Sequence, residues 1–211
     1  MKTDQLISAL VADRPADGYT LDRRLRLALL AGGLISLGLF WIFLRPRPDL
    51  VPALATWRFD FKILLMMLTA VLAFGFCRAM ARPIASPHHA RRLLLPAAAL
   101  LAAIAVELLT IPSALWATRL VGSNSLVCLS AIPFLSLAPL TAVLAILRRG
   151  APRSPALCGV AAGALAAACG ATLYAFHCFD DSPLFVLTWY GLAAAIVISI
   201  GAIAGHRLLR W

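Results

Sequence analysis

The stretch ALCGVAAGALAAACGATLYAF (156–176), HCFDDS (177–182), PLFVLTWYGLAAAIVISIGAIAG (183–205) decides the fold. Two apolar runs of 21 and 23 residues flank a six-residue break. A bilayer crossing takes about 20 apolar residues, so each run is long enough to span as a helix. Asp180, Asp181 and Ser182 are helix-capping types, and Pro183 suits the first turn of a helix, where its missing N–H costs nothing. The helix before the break is expected to end near His177, and the next to start at Pro183. His177, Cys178, Asp180 and Asp181 also bring an imidazole, a thiol and two carboxylates together here, which makes the break the first candidate for function.

Four further apolar runs precede these, at about 27–44, 62–80, 93–111 and 127–147. The whole chain of 211 residues is 62% hydrophobic and 13% charged, with mean hydropathy +0.91. A soluble domain would be roughly half apolar and a quarter charged. The expected fold is all-α: an integral membrane bundle of six transmembrane helices with a short cytoplasmic N-terminal amphipathic segment. Residues 1–26 form the tail and 27–211 the transmembrane domain. Pro96, Pro133 and Pro139 fall inside runs, which membrane helices tolerate when neighbours satisfy the freed backbone groups. Gly159 and Gly163, with Ala162, Ala166 and Gly170, predict close packing of the fifth helix on a neighbour.

The net charge of +10 does not imply nucleic acid, because the cations lie between the apolar runs. That distribution sets membrane orientation and favours anionic lipid contact. One side holds Lys2, Arg14, Arg23, Arg24, Arg26, Arg78, Arg82, Arg91, Arg92, Arg148, Arg149, Arg153, Arg207 and Arg210. The other holds only Arg45, Arg47, Arg58, Lys62 and Arg119. The positive-inside rule therefore places both termini in the cytoplasm, and the expected setting is a bacterial inner membrane. No signal peptide is expected, since the first run begins after about 25 polar-to-mixed residues.

In the tail, Leu6, Ile7, Leu10 and Val11 make one apolar stripe, and Gln5, Ser8 and Asp13 take the other side. A second short piece, Leu21 to Leu27, mixes leucines with Arg23, Arg24 and Arg26. Helices this short are marginal alone, so their apolar faces need the membrane surface or a partner protein. The pattern leaves both open. Lys2 is the only cation before Arg14, whereas helices lying on lipid are usually rich in Lys and Arg.

Of the five cysteines none forms a CxxC pair, which excludes the common zinc-ribbon and thioredoxin-like signatures. Cys77, Cys158 and Cys169 read as small packing residues, the last pointing away from Cys178 by half a helical turn. Cys128 and Cys178 differ. From the Arg148–Pro155 loop, helices of ~1.5 Å rise per residue bring both thiols, after roughly 30 and 33 Å, to the same outer face. That compartment is oxidising and permits a disulfide. His177 could lower a thiolate pKa or ligate a metal, with Cys128, Cys178, Asp180 and Asp181 completing a possible metal set. The pattern supports a functional pair and two unpaired structural cysteines equally. Glu107, the acid well inside an apolar run, reads as a hydrogen-bonded residue near the outer end ahead of a proton-coupling one.

Several stretches resemble the NrsF-type membrane anti-sigma factors. They are Met1 to Asp13 (MKTDQLISALVAD), Cys128 before Ile132-Pro133, Arg148 to Pro152 (RRGAP), His177 to Phe185 (HCFDDSPLF) on to Trp189-Tyr190, and the RLLRW ending. The resemblance spans essentially the whole chain. It implies a cytoplasmic N-terminal segment that holds an extracytoplasmic-function sigma factor at the membrane. It also implies two cysteines on the periplasmic side that are needed for signal response, corresponding to Cys128 and Cys178. Family members carry Pro or a similar residue after the second cysteine, where this chain has Phe179.

The expected function is accordingly a membrane-bound anti-sigma factor. It sequesters a sigma factor through Leu6, Ile7, Leu10 and Val11 and releases it on a thiol-directed signal, an oxidant or heavy metal, at Cys128, Cys178 and His177. It is not expected to be an enzyme or to have a certain cofactor, a transient metal ion being the candidate, and its partners are lipid and a sigma factor, with no direct contact to nucleic acid. A membrane thiol oxidoreductase or a small transporter using Glu107 is the alternative. Hydrolytic and nucleotide-binding motifs are absent.

Overall fold

The computed structural model of the chain describes residues 3, 5, 8, 18–82, 88–150 and 152–210. Leu6, Ile7, Leu10 and Val11 lie outside the described residues, while Thr3, Gln5 and Ser8 are helical. Six long helices organise the rest: α1 (Gly18–Phe43), α2 (Trp57–Met80), α3 (Leu94–Thr110), α4 (Ser125–Leu147), α5 (Pro155–Ala175) and α6 (Pro183–Leu208). Each belongs to a segment long and apolar enough to cross a membrane, and no strand occurs among the described residues.

The start of α6 follows its sequence. Ser182 has extended backbone, its hydroxyl accepts from the Leu184 N–H at 3.2 Å, and Pro183 takes the first helical position. The turn Val186–Tyr190 is π-helical, a widening that tends to occur at functional sites. α5 ends at Ala175, slightly before His177, and the 176–182 break is open loop. At the N-terminus the expected separate piece Leu21–Leu27 is instead continuous with the first span. No Gly or Pro interrupts 19–31, and Leu25 is buried in the bundle's own core, so the helix has no reason to stop.

α5 is the central helix, packed by α2, α4 and α6, and 61% of its apolar window is buried against 22% for α1 and α3. Alanine and glycine make this possible by letting backbones approach. Gly159 and Gly163 meet Gly201 and Gly205 of α6. A Cβ at Gly205 would stand 2.6 Å from Gly159 Cα, and one at Gly163 2.7 Å from Ile198 Cα. Backbone cannot yield as a side-chain tip can. Gly205→Val should therefore separate α5 from α6 and cost the ~1–3 kcal/mol typical of overpacking, or more. A lowered melting temperature in detergent checks it, and Gly33→Ala, which meets nothing within 4 Å, is the control.

Candidate functional site

Cys128 lies in the first turn of α4, and Cys178 follows the last turn of α5, its N–H bonded to the Tyr174 carbonyl at 3.0 Å. Both are free thiols with no exposed surface. They share one apolar cluster with Ile132, Tyr174, Phe185, Val186 and Tyr190. The depth matching read from helix lengths is thus borne out, but the thiols are sealed inside the bundle end rather than presented outside it. The Cys178 sulfur donates to the Asp180 carbonyl at 3.7 Å. Cys77 and Cys158 share the other core cluster, near the opposite end.

What seals the pair is a charged clamp over the 177–182 loop. Lys62, one turn into α2, is fully buried. Its ammonium donates to the Cys178 carbonyl at 3.0 Å and is paired with the Asp181 carboxylate. Arg47, from the α1–α2 connection, donates to the other Asp181 oxygen at 2.9 Å, to the Cys178 carbonyl at 3.3 Å and to Asp49 at 2.7 and 2.8 Å. The Arg47 N–H also donates to the Phe176 carbonyl at 3.0 Å. Phe179 lies under this guanidinium, 4.8 Å from ring centre to Cζ, which gives the residue after the second cysteine a role as a cation–π platform. Asp49 beside it holds the guanidinium further up than usual, and Arg47 in turn holds the Asp49 carboxyl below its ordinary value.

Two further ties fix the same loop. Asp180 accepts from the N–H groups of Ser123 at 3.0 Å and Asn124 at 2.9 Å, so it ties the loop to the residues that lead into α4. Glu107, fully buried on α3, accepts from the Ser182 hydroxyl at 2.7 Å and stands 3.6 Å from Arg58 Nε. The hydrogen-bonded reading of Glu107 is the one the geometry matches: the carboxylate anchors the start of α6. Loop 177–182 is therefore gripped by α2, α3, α4 and the α1–α2 connection together.

The five sequence candidates for a metal are not brought together as one donor set. Among the described residues no group of three or more His, Cys, Asp or Glu side chains is placed to hold an ion. Asp181 faces the two cations, Asp180 faces backbone N–H groups, and His177 Nδ1 is 2.9 Å from the Arg45 carbonyl. His177 also does not lower the thiol. Burial pushes the Cys178 thiol up, and the cation opposing that shift is Lys62. The thiolate is the reactive form, so in this conformation the sulfur is both covered and held protonated.

Sequence reasoning missed Lys62 and Arg47 by counting them as loop cations. The signal was available for Lys62: Phe59, Leu65 and Met66 lie three or four positions away on one helical face, and all are buried. A lysine on that stripe needs an anion, and Asp180 and Asp181 stand side by side in the 177–182 loop.

The sequence model of the family described as NrsF, negative regulator of sigma F, matches residues 10–211 of this chain. A Caulobacter vibrioides (strain NA1000 / CB15N) protein named "Anti-sigma-F factor NrsF" is 34% identical over 218 residues, covering 100% of both chains. An Azospira oryzae protein, "Probable anti-sigma-F factor NrsF", is 31% identical over 214 residues with the same coverage. No solved structure matches the chain.

Proposed function

We propose a function from one premise: this chain belongs to the NrsF family, the negative regulators of sigma F. Full-length similarity to two anti-sigma-F factors is the observation that carries the reading. The chain is a regulator that binds a sigma factor of the extracytoplasmic-function class and holds it at the inner membrane. Residues 1–26 carry the binding stripe Leu6, Ile7, Leu10 and Val11 ahead of the bundle-packed Leu25, with both termini in the cytoplasm and the 177–182 loop on the periplasmic side. The charge asymmetry supports this orientation. Arg47, Arg58 and Lys62, three of the five periplasmic cations, are paired with Asp49, Asp181 and Glu107.

The clamped loop supports a resting sensor. Cys128 and Cys178 sit reduced in one buried cluster, and a signal acts when the loop opens and their sulfurs become reachable. An oxidant that meets the pair takes two electrons and two protons from the thiols as the S–S bond forms. A heavy metal ion would instead displace the two thiol protons. In this reading either event shifts the start of α4 against the end of α5, the elements that carry Cys128 and Cys178. A tenfold loss of sigma affinity takes only about 1.4 kcal/mol of difference between the two states.

Single Cys128→Ser and Cys178→Ser changes test this in a strain carrying a sigma-dependent reporter. Each is expected to hold sigma as the wild type does and to abolish induction, and the double change should behave like either single one. A constitutively raised reporter with reduced protein abundance would instead make the pair structural. Cys77→Ser, Cys158→Ser and Cys169→Ser should respond normally.

A further inference from the structure

Proline removes one hydrogen bond from a helix, since it has no N–H for the carbonyl four residues earlier. In α4, Pro139 leaves the buried Leu135 carbonyl without that donor. The replacement comes from α1: the Ser36 hydroxyl donates to the Leu135 carbonyl at 2.6 Å, and Ser36 is 1% exposed. One turn earlier, Gly32 rests on the proline itself. A Cβ there would stand 2.6 Å from Pro139 Cα, 2.9 Å from its N and 3.0 Å from the Ala138 carbonyl. Gly32 and Ser36 are four residues apart and share one helical face. α1 thus docks on α4 at one of the two prolines, Pro133 and Pro139, where the α4 backbone lacks its own bond, and α4 is the helix against which α1 packs most extensively.

The two helices carry the two ends of the proposed signal path. Cys128 is in the first turn of α4, and residues 18–26 at the end of the tail form the start of α1. We propose that Gly32 and Ser36 on α1, seated on Leu135 and Pro139 of α4, form the joint that passes the state of the thiols to the tail. The half of α4 from Ser125 to Ala138 tilts about Pro139 without breaking a backbone bond at that point. The Ser36–Leu135 bond makes α1 follow the tilt. Ser36 is a positioning residue in this scheme, and the scheme rests on the thiol reading given above.

Ser36→Ala removes the donor and changes no thiol and no tail residue. The expected result has three parts: sigma co-purifies at the wild-type level, diamide forms the Cys128–Cys178 disulfide to the wild-type extent, and reporter induction falls at least tenfold. Diamide is itself reduced to the hydrazine as the disulfide forms, and a maleimide-polymer gel shift reads the thiols. Wild-type induction in Ser36→Ala overturns the joint, and so does loss of sigma binding before any oxidant is added. Pro139→Ala gives Leu135 an N–H from its own helix, and in that background Ser36→Ala should no longer lower the melting temperature. A further fall there also counts against the joint. Were the wild type to respond with its thiols still reduced, the thiol reading would fail separately. The joint would then be judged by whether Ser36→Ala still blocks that response.

Discussion

Replacing both Leu6 and Leu10 by Asp is expected to release the sigma factor completely and switch on its regulon without stress. The two leucines sit four apart on the tail's apolar stripe, so one helix-in-groove contact would use both. Burying a leucine contributes about 1.5–3 kcal/mol. Losing two removes about 3–6 kcal/mol, and each aspartate adds the cost of placing a carboxylate in an apolar groove. At 1.4 kcal/mol per tenfold, affinity falls by at least about a hundredfold. The six-helix bundle is untouched, so the protein should accumulate normally. The measurement is co-purification of sigma with the tagged protein from membranes, alongside the reporter. Undiminished co-purification would move the binding surface elsewhere, and the lipid-anchor reading of the tail would then stand.

The parts of the fold that were legible in the sequence are those governed by composition along one chain segment. Six apolar runs became six long helices because twenty apolar residues leave a chain little else to do. Ser182 and Pro183 mark the start of α6 because capping depends on residues two apart. The close seam at Gly159 and Gly163 was legible too, but not its partner, since Gly201 and Gly205 show the same spacing for reasons only packing can reveal. Pairings distant in sequence stayed hidden. Ser36 meets Leu135 across 99 positions and Lys62 meets Asp181 across 119. Nothing local distinguishes Lys62 from a loop cation except the apolar stripe it interrupts.

The candidate site shows the same division. Proximity in sequence suggested that His177, Asp180 and Asp181 would serve Cys178 directly. Folding turned each of them to another partner, because a loop at the end of a bundle must satisfy its carboxylates before it can close. The two thiols, by contrast, sit on or against helices whose lengths set their depth, so their meeting at one end followed from counting residues. Rigid elements transmit sequence arithmetic and loops do not.

Lys62→Met should open the lid over the thiols. The substitution keeps the length of the side chain and removes its charge, leaving the Asp181 carboxylate to Arg47 alone and the Cys178 carbonyl with only its 3.3 Å contact to Arg47. Breaking a buried pair by removing one partner costs about 3–5 kcal/mol. Asp181 retains Arg47 and some solvent, which places this case near the lower figure. A 3 kcal/mol shift in the closed–open balance of the loop is about a hundredfold in the open population. The reaction of Cys178 with an impermeant maleimide, measured on intact spheroplasts at reagent concentrations where labelling is slower than closing, should accelerate by that factor. Adding Asp181→Asn to Lys62→Met should recover part of the lost melting temperature, because the carboxylate that lacked its ammonium is then neutral too. Labelling is the decisive readout, as it reports the loop and not the bundle. An unchanged rate in Lys62→Met would mean that Arg47, Asp180 and Glu107 hold the loop without Lys62, and that its buried charge serves packing rather than protection of the thiol.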